Sequence, residues 1–284
     1  MNRLTTERRA QVLGALVEGN SIRATVRMTG AAKNTVTKLL GDVGLAAVSY
    51  QDRVLRDLPC RTLQCDEIWA YCYAKQKNVP DEHRGTFGYG DVWTWTAICA
   101  DTKLVPSWLV GERTVDDAWT FMADLEKRLA HRVQLTTDGH HSYLKAVDRA
   151  FKGGVDYAML QKIYGPDLVA ERRYSPPVCL GAESRVIQGM PNPDKISTSY
   201  VERQNLTMRM GMRRFTRLTN GFSKKLENLV WAVGLHFLHY NFARVHTTLK
   251  TTPAVAAGVA EHVWTVREIA ELIESEPARP EYSN

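Results

Sequence analysis

The chain has 284 residues, of which 44% are hydrophobic and 24% charged. At about 100–200 residues per domain, that allows one large domain and a small one. No run approaches the roughly 20 apolar residues of a membrane helix. Residues 1–9 also lack an apolar signal core, so a cytoplasmic protein with no membrane partner is expected. The five cysteines, Cys60, Cys65, Cys72, Cys99 and Cys179, are odd in number and form no CxxC pair. That argues against a disulfide framework and a structural zinc site, and leaves buried free thiols as the expectation. The net charge is +6, yet residues 203–250 alone hold nine Lys/Arg against one acid, Glu227. Such a segment is suited to neutralising phosphates and releasing their counterions.

Taken in chain order, the first elements are helical. Thr6 is placed to cap a helix running to about residue 18, with Val12, Leu13, Leu16 and Val17 as its apolar stripe. Gly19-Asn20 breaks it, and Ser21 caps a second helix over 22–28. Thr29-Gly30 turns the chain into a third helix, 32–40, with Val36, Leu39 and Leu40 inward and Gly41 as its end. This is a helix-turn-helix layout. Its third helix would offer Lys33, Asn34, Thr35, Thr37 and Lys38 to a DNA groove, the alternative being a plain three-helix bundle. Residues 45–61 read as a linker. Strands follow at 62–74, 91–100 and 104–110, with a polar, Gly-rich loop over 75–90. A helix over 114–130, a strand over 132–137, a helix over 142–151 and a strand over 157–163 complete the pattern. Three adjacent strands, then helix, strand, helix, strand, describe an α/β fold with a ribonuclease H-like mixed sheet and flanking helices. Residues 165–197, rich in Pro, Gly and charge, read as a hairpin insertion. Helices are expected again over 198–215, 224–242 and 266–273. The division is therefore a small all-α domain (1–44), a linker (45–61), the α/β domain (62–255), and a C-terminal helix and tail (256–284).

Three acids stand where such a sheet needs them. Asp66 lies inside the first strand, in LQCDEIW, sharing a face with Gln64 and Ile68 while Glu67 points to the other face. Asp138 ends the fourth strand, in LTTDG, at the carboxyl edge where open α/β sheets place ligands. Glu202 opens a helix, in SYVERQN. Three carboxylates brought together repel one another, and hard divalent cations relieve that repulsion. Two such ions serve cleavage and transfer at a phosphodiester. Glu67 is the alternate for the first position, and Glu171 and Glu183 compete with Glu202. His140 and His141 read as loop residues. Asn205 and Arg209 share the face of Glu202 and are placed to orient that carboxylate or grip DNA. Arg213, Arg214 and Arg217 continue a basic track on the same helix, with a solvated face as the plain alternative.

These motifs together resemble the bacterial DDE transposases of the insertion sequence one family, in the longer form with an N-terminal helix-turn-helix. The resemblance rests on CDEIW (65–69), GDVWTW (90–95), LTTDGH (135–140), STSYVERQNLTMRMGMRRFTRLTNGFSKKLEN (197–228) and HYNFARVHTTLKTTPA (239–254). It implies a ribonuclease H-like fold and catalytic, metal-binding roles for Asp66, Asp138 and Glu202. It also implies two Mg2+ or Mn2+ ions, double-stranded DNA as substrate and partner, binding to the element's terminal inverted repeats, and a homo-oligomer on DNA. The spacing of 64 residues from Asp138 to Glu202 exceeds the family's compact pattern, and an insertion at 165–197 accounts for it. A metal-dependent nuclease or resolvase of the same fold, and a non-catalytic DNA-binding regulator, are the competing readings.

Overall fold

The computed structural model describes residues 4–165, 179–216 and 219–275. It begins with three helices: α1 (Thr6–Val17), α2 (Ile22–Thr29) and α3 (Lys33–Val54). The cap of α1 is Thr5, one residue before the expected Thr6, and its hydroxyl accepts from Arg8 N. Ser21 caps α2 as expected, accepting from Ala24 N at 3.1 Å, and Gly30 ends α2 with φ 70°. The third helix does not stop at Gly41. It runs to Val54, so most of the expected linker over 45–61 is helix. The reason is packing. A Cβ on Gly44 would lie 2.4 Å from the Cβ of Trp231, and one on Gly41 would lie 3.1 Å from the Trp231 ring. These glycines admit a neighbouring helix, α7 (Leu226–Leu238), at close range and do not mark an end.

The sheet follows: β1 (Thr62–Cys72), β2 (Gly90–Cys99), β3 (Trp108–Gly111), β4 (Val133–Thr137), β5 (Val155–Tyr164) and β6 (Cys179–Gln188). Its spatial order is β3-β2-β1-β4-β5-β6. β1, β4 and β5 are parallel, while β2 is antiparallel to β1, β3 to β2, and β6 to β5. The first five strands form the ribonuclease H-like arrangement expected, and β6 is an added edge. The stretch read as a hairpin insertion thus contributes β6 to the sheet; residues 166–178, with Glu171, lie outside the described residues. Helices α4 (Val115–Glu126) and α5 (Ser142–Phe151) cover one face, burying Trp95, Phe121 and Tyr143 between them and the sheet.

The C-terminal part holds α6 (Ser199–Gly211), α7, a π-helical turn at His239–Ala243, the short α8 (Pro253–Ala256) and α9 (Val266–Ser275). The HYNF motif is structural. Buried Asn241 accepts from Val105 N and donates to Val105 O at 3.0 and 2.9 Å, and Tyr240 Oη donates to Lys103 O. One hydrophobic core joins Val12, Val36 and Val43 of the first helices to the sheet and to Leu229, Val233 and Ile269. Cys60, Cys65, Cys72 and Cys99 are buried free thiols, whereas Cys179 on the edge strand is exposed. Among the described residues no helix is long and apolar enough to cross a membrane.

Candidate metal centre

The site forms where the parallel pairing of β1 with β4 runs out. Its last pair is Cys65 with Thr137, so Asp66 and Asp138 are the next residues on the two strands. Beyond that pair β4 leaves β1, whose next bridge on this side is Cys72 with Ser223, and carboxylates from both faces of β1 reach the opening between. That is why Glu67, expected to point away, takes part. One carboxylate oxygen from each of Asp66, Glu67 and Asp138 lies within 4.8 Å of the others.

Glu202 reaches the same cleft from the first turn of α6. The cleft encloses about 620 Å³ and is lined by Asp66, Glu67, Asp138 and Glu202, with Arg113, His140, Lys162, Thr198, Asn205 and Arg209 among their neighbours. Glu202 stands apart from the tight group of three. Its Oε2 is paired with Lys162 Nζ, and its Oε1 accepts from Thr198 Oγ1 at 2.6 Å. The start of α6 is pinned to β1 by Gln64, whose Oε1 accepts from Tyr200 N and Val201 N at 2.8 and 3.2 Å. One side chain two residues before Asp66 thus satisfies helix-end donors and sets where Glu202 enters.

Each acid has its own partners. Asp66 Oδ1 accepts from Glu67 N, and Oδ2 accepts from Asn205 Nδ2, both at 2.8 Å. Asn205 Oδ1 is buried without a hydrogen-bond partner. Burial, then the charges of Glu67 and Asp138, push the Asp66 carboxyl up to about 7. Glu67, only 7% exposed, is raised by burial and by Asp138. Its Oε1 pairs with Arg113 at 2.6 Å, and its Oε2 accepts from Tyr143 Oη at 3.0 Å. Both oxygens of Glu67 are therefore engaged by protein groups. Asp138 Oδ1 accepts from His140 N at 3.0 Å, and Oδ2 lies 3.9 Å from Arg113. His140 lies in the loop before α5 and lines the cleft; burial lowers its imidazole, with Arg113 acting in the same sense.

A crowded set of carboxylates, with Asp66 raised by burial and by its neighbours, fits a hard divalent cation by its donor chemistry. Asn205 and Arg209 line the cleft, as their shared helix face with Glu202 predicted. The basic track does not continue as expected. α6 ends at Gly211, and Arg213 and Arg214 sit in a separate 3-10 turn, Arg213–Phe215. Arg213 is exposed. Arg214 is half-buried and its Nε donates to Ser223 Oγ at 2.7 Å, so it is spent on the protein interior. Arg217 lies outside the described residues. Glu183 is exposed on β6, opposite Gln161, and does not line the cleft. Lys33, Asn34 and Lys38 are exposed at the start of α3, where Lys38 pairs with Asp42 at 2.7 Å, and Thr35 is half-buried. Sequence reasoning missed Arg113 and Lys162, which carry no motif and become neighbours only through the fold, and Thr198, which lies in the motif around Glu202 but was not singled out.

No family model and no curated protein matches the chain. Among solved structures it is similar to the piggyBac transposase synaptic complex with hairpin DNA, with TM-score 0.40 and 12% identity over 96% of this chain and 71% of that one. It is also similar to the Mos1 mariner paired-end complex with Mn, with TM-score 0.29 and 10% identity over 84% and 76%. For a pre-cleavage Mos1 transpososome the TM-score is 0.30 and the identity 11% over 84% and 77%. Likenesses this distant carry no functional weight, which leaves the acid-lined cleft as the ground for any functional reading.

Proposed function

We propose that the chain is a DNA transposase that binds the terminal inverted repeats of its own insertion sequence, then cuts and rejoins DNA strands. The observation that carries this reading is the convergence of Asp66, Asp138 and Glu202 on one cleft, where the parallel pairing of β1 with β4 ends. In this reading they hold two divalent ions, Mg2+ or Mn2+. Such ions, when bound, activate the attacking oxygen and stabilise the leaving one. The chain's own groups do the placing. Asn205 holds Asp66 in orientation, Thr198 and Lys162 hold Glu202, and Glu67 keeps Arg113 beside Asp138. Arg209, Arg213 and Arg217 are assigned to DNA phosphates, and Arg214, bonded to Ser223, is not retained for that role. Residues 1–44, through Lys33, Asn34, Thr35 and Lys38, are assigned to reading the repeat, and 62–255 to catalysis. A homo-oligomer assembled on DNA in the bacterial cytoplasm completes the proposal.

The test uses labelled duplexes taken from the DNA that flanks the chain's own coding sequence. Asp66→Asn, Asp138→Asn and Glu202→Gln should each abolish Mg2+- or Mn2+-dependent cleavage, because an amide keeps the shape but ligates a cation weakly. Binding of the same duplex should persist. Near-wild-type cutting by any one variant removes that residue from the site.

A further inference from the structure

The β1–β2 ribbon carries a row of rings that nothing in the acid site uses. Trp69 and Tyr71 follow Glu67 at alternate positions of β1, so all three share one face of the strand. Trp93 of β2 is the direct cross-strand partner of Trp69. The Trp69 and Tyr71 centroids are 5.7 Å apart, and Tyr71 stacks on Phe222 at 5.0 Å with an interplanar angle of 29°. Trp69 is 37% exposed. Arg113 joins this row to the acids: its guanidinium lies 4.6 Å from the Trp93 ring centroid while pairing with Glu67. Lys224 and Lys225, next to Phe222, are exposed and have no ion pair among the described residues. Across from Tyr71 stands Asp91, the acid at this end of the ribbon.

We infer that Trp69, Tyr71, Trp93 and Phe222 form a stacking shelf for unpaired nucleobases of a DNA strand whose phosphate lies at the acid cluster. This deepens the transposase reading and rests on it. The large exposed apolar side chains of the β1–β2 ribbon and the loop between its strands, Trp69, Tyr73 and Phe87, are all aromatic. Flat rings with cations at their rims suit bases joined by phosphates. Strand rise places Trp69 about 7 Å from Glu67, close enough for bases next to a phosphate held at the acids.

The test uses the full chain without metal and two fluorescein-labelled probes: a twelve-nucleotide oligo-dT, and the same strand with abasic sites at its central positions. Fluorescence anisotropy should show Trp69→Ala binding oligo-dT about tenfold or more weakly than wild type. Trp69→Phe should keep most of the affinity, and the abasic strand should be bound equally by all three proteins. Unchanged oligo-dT affinity in Trp69→Ala overturns the shelf, as does an equal loss on both probes. So does a change of oligomeric state with DNA affinity intact, which would make a second copy of the chain the occupant. Neither probe has to be cut, so a chain that cleaves duplex ends but shows no Trp69 effect refutes the shelf alone. A chain that stacks oligo-dT yet never cleaves refutes the transposase reading alone.

Discussion

Removing one acid from the centre should make the metal-free protein more stable. Asp66 has an ordinary carboxyl value of 3.8 and is raised to about 7 in the fold, first by burial and then by Glu67 and Asp138. A group whose folded value is raised contributes its full stability below the unfolded value and loses it as pH climbs through the folded one. Asp66 is therefore harmless near pH 4 and opposes folding increasingly up to pH 8. At about 1.4 kcal/mol per unit, the full opposition is about 4 kcal/mol, and about 2–3 kcal/mol of it develops between pH 5 and 8. Asp66→Asn does not titrate. Its amide can be accommodated, because Asn205 Oδ1 lacks a partner and a flipped Asn205 would accept from the new Asn. The variant's advantage over wild type, measured by urea denaturation in chelator, should grow by about 2–3 kcal/mol from pH 5 to pH 8. Added Mn2+ should then reverse the order, stabilising wild type in proportion to RT ln(1 + [Mn2+]/Kd) and the variant little. A pH-independent difference between the two proteins, or a variant less stable than wild type at pH 8 in chelator, would refute the idea that burial and the neighbouring acids raise Asp66 in the fold.

Three further outcomes follow from the packing and the charges. Gly44→Ala should destabilise the protein by about 1–3 kcal/mol, because the clash with Trp231 outweighs the roughly 1 kcal/mol an alanine adds within a helix; a stabilised variant on thermal melting would show that α3 and α7 do not meet so closely. His236 and His239 are pushed down to about 3 and 4, mainly by burial. With depressed folded values, both stabilise the neutral protein above about pH 6.5 and lose that contribution as pH falls, by about 2 kcal/mol each down to pH 5. His236→Gln should therefore show a visibly shallower fall of unfolding free energy between pH 6.5 and 5, and parallel curves would contradict the burial argument. Finally, Arg213→Ala should lower the slope of log binding constant against log salt by about one unit on cognate and random DNA alike. Arg214→Ala should leave that slope unchanged and lower the melting temperature instead; the reverse pattern would reassign the two arginines.

Legibility in the sequence followed burial. Asp66 and Asp138 were readable because apolar strands made a carboxylate conspicuous, and the glycine after Asp138 marked the strand end. Glu202 was readable from its place in the first turn of a helix. β6 was not, because as an edge strand it is mostly exposed and lacks the apolar alternation that burial imposes on β1 and β2. The end of α6 was misplaced for a related reason: Met208, Met212 and Phe215 keep apolar spacing through a break in the helix. Glu67 was set aside because alternation turns it to the other face from Asp66, and the sequence could not show that the opening beyond the end of β4 is reached from both faces. Gly41 was read as a helix end, whereas its role, with Gly44, is the absence of a side chain against Trp231.

That glycine seam also bears on how such a protein could change its target. Many DNA-handling enzymes gain new addresses by exchanging a recognition module through a loose tether. Here the helix that begins at Lys33 is the same rigid rod that lies against Trp231 and Gly234, and Gln51 donates from it to Gly234 O at 3.2 Å. Grafting a foreign segment over residues 1–44 would cut that rod within the seam. A graft that works must carry the small residues at 41 and 44 with it, or bring a matching α7. With the start of α3 reading DNA as proposed, new specificities should arise by point substitution there, and only rarely by shuffling whole modules.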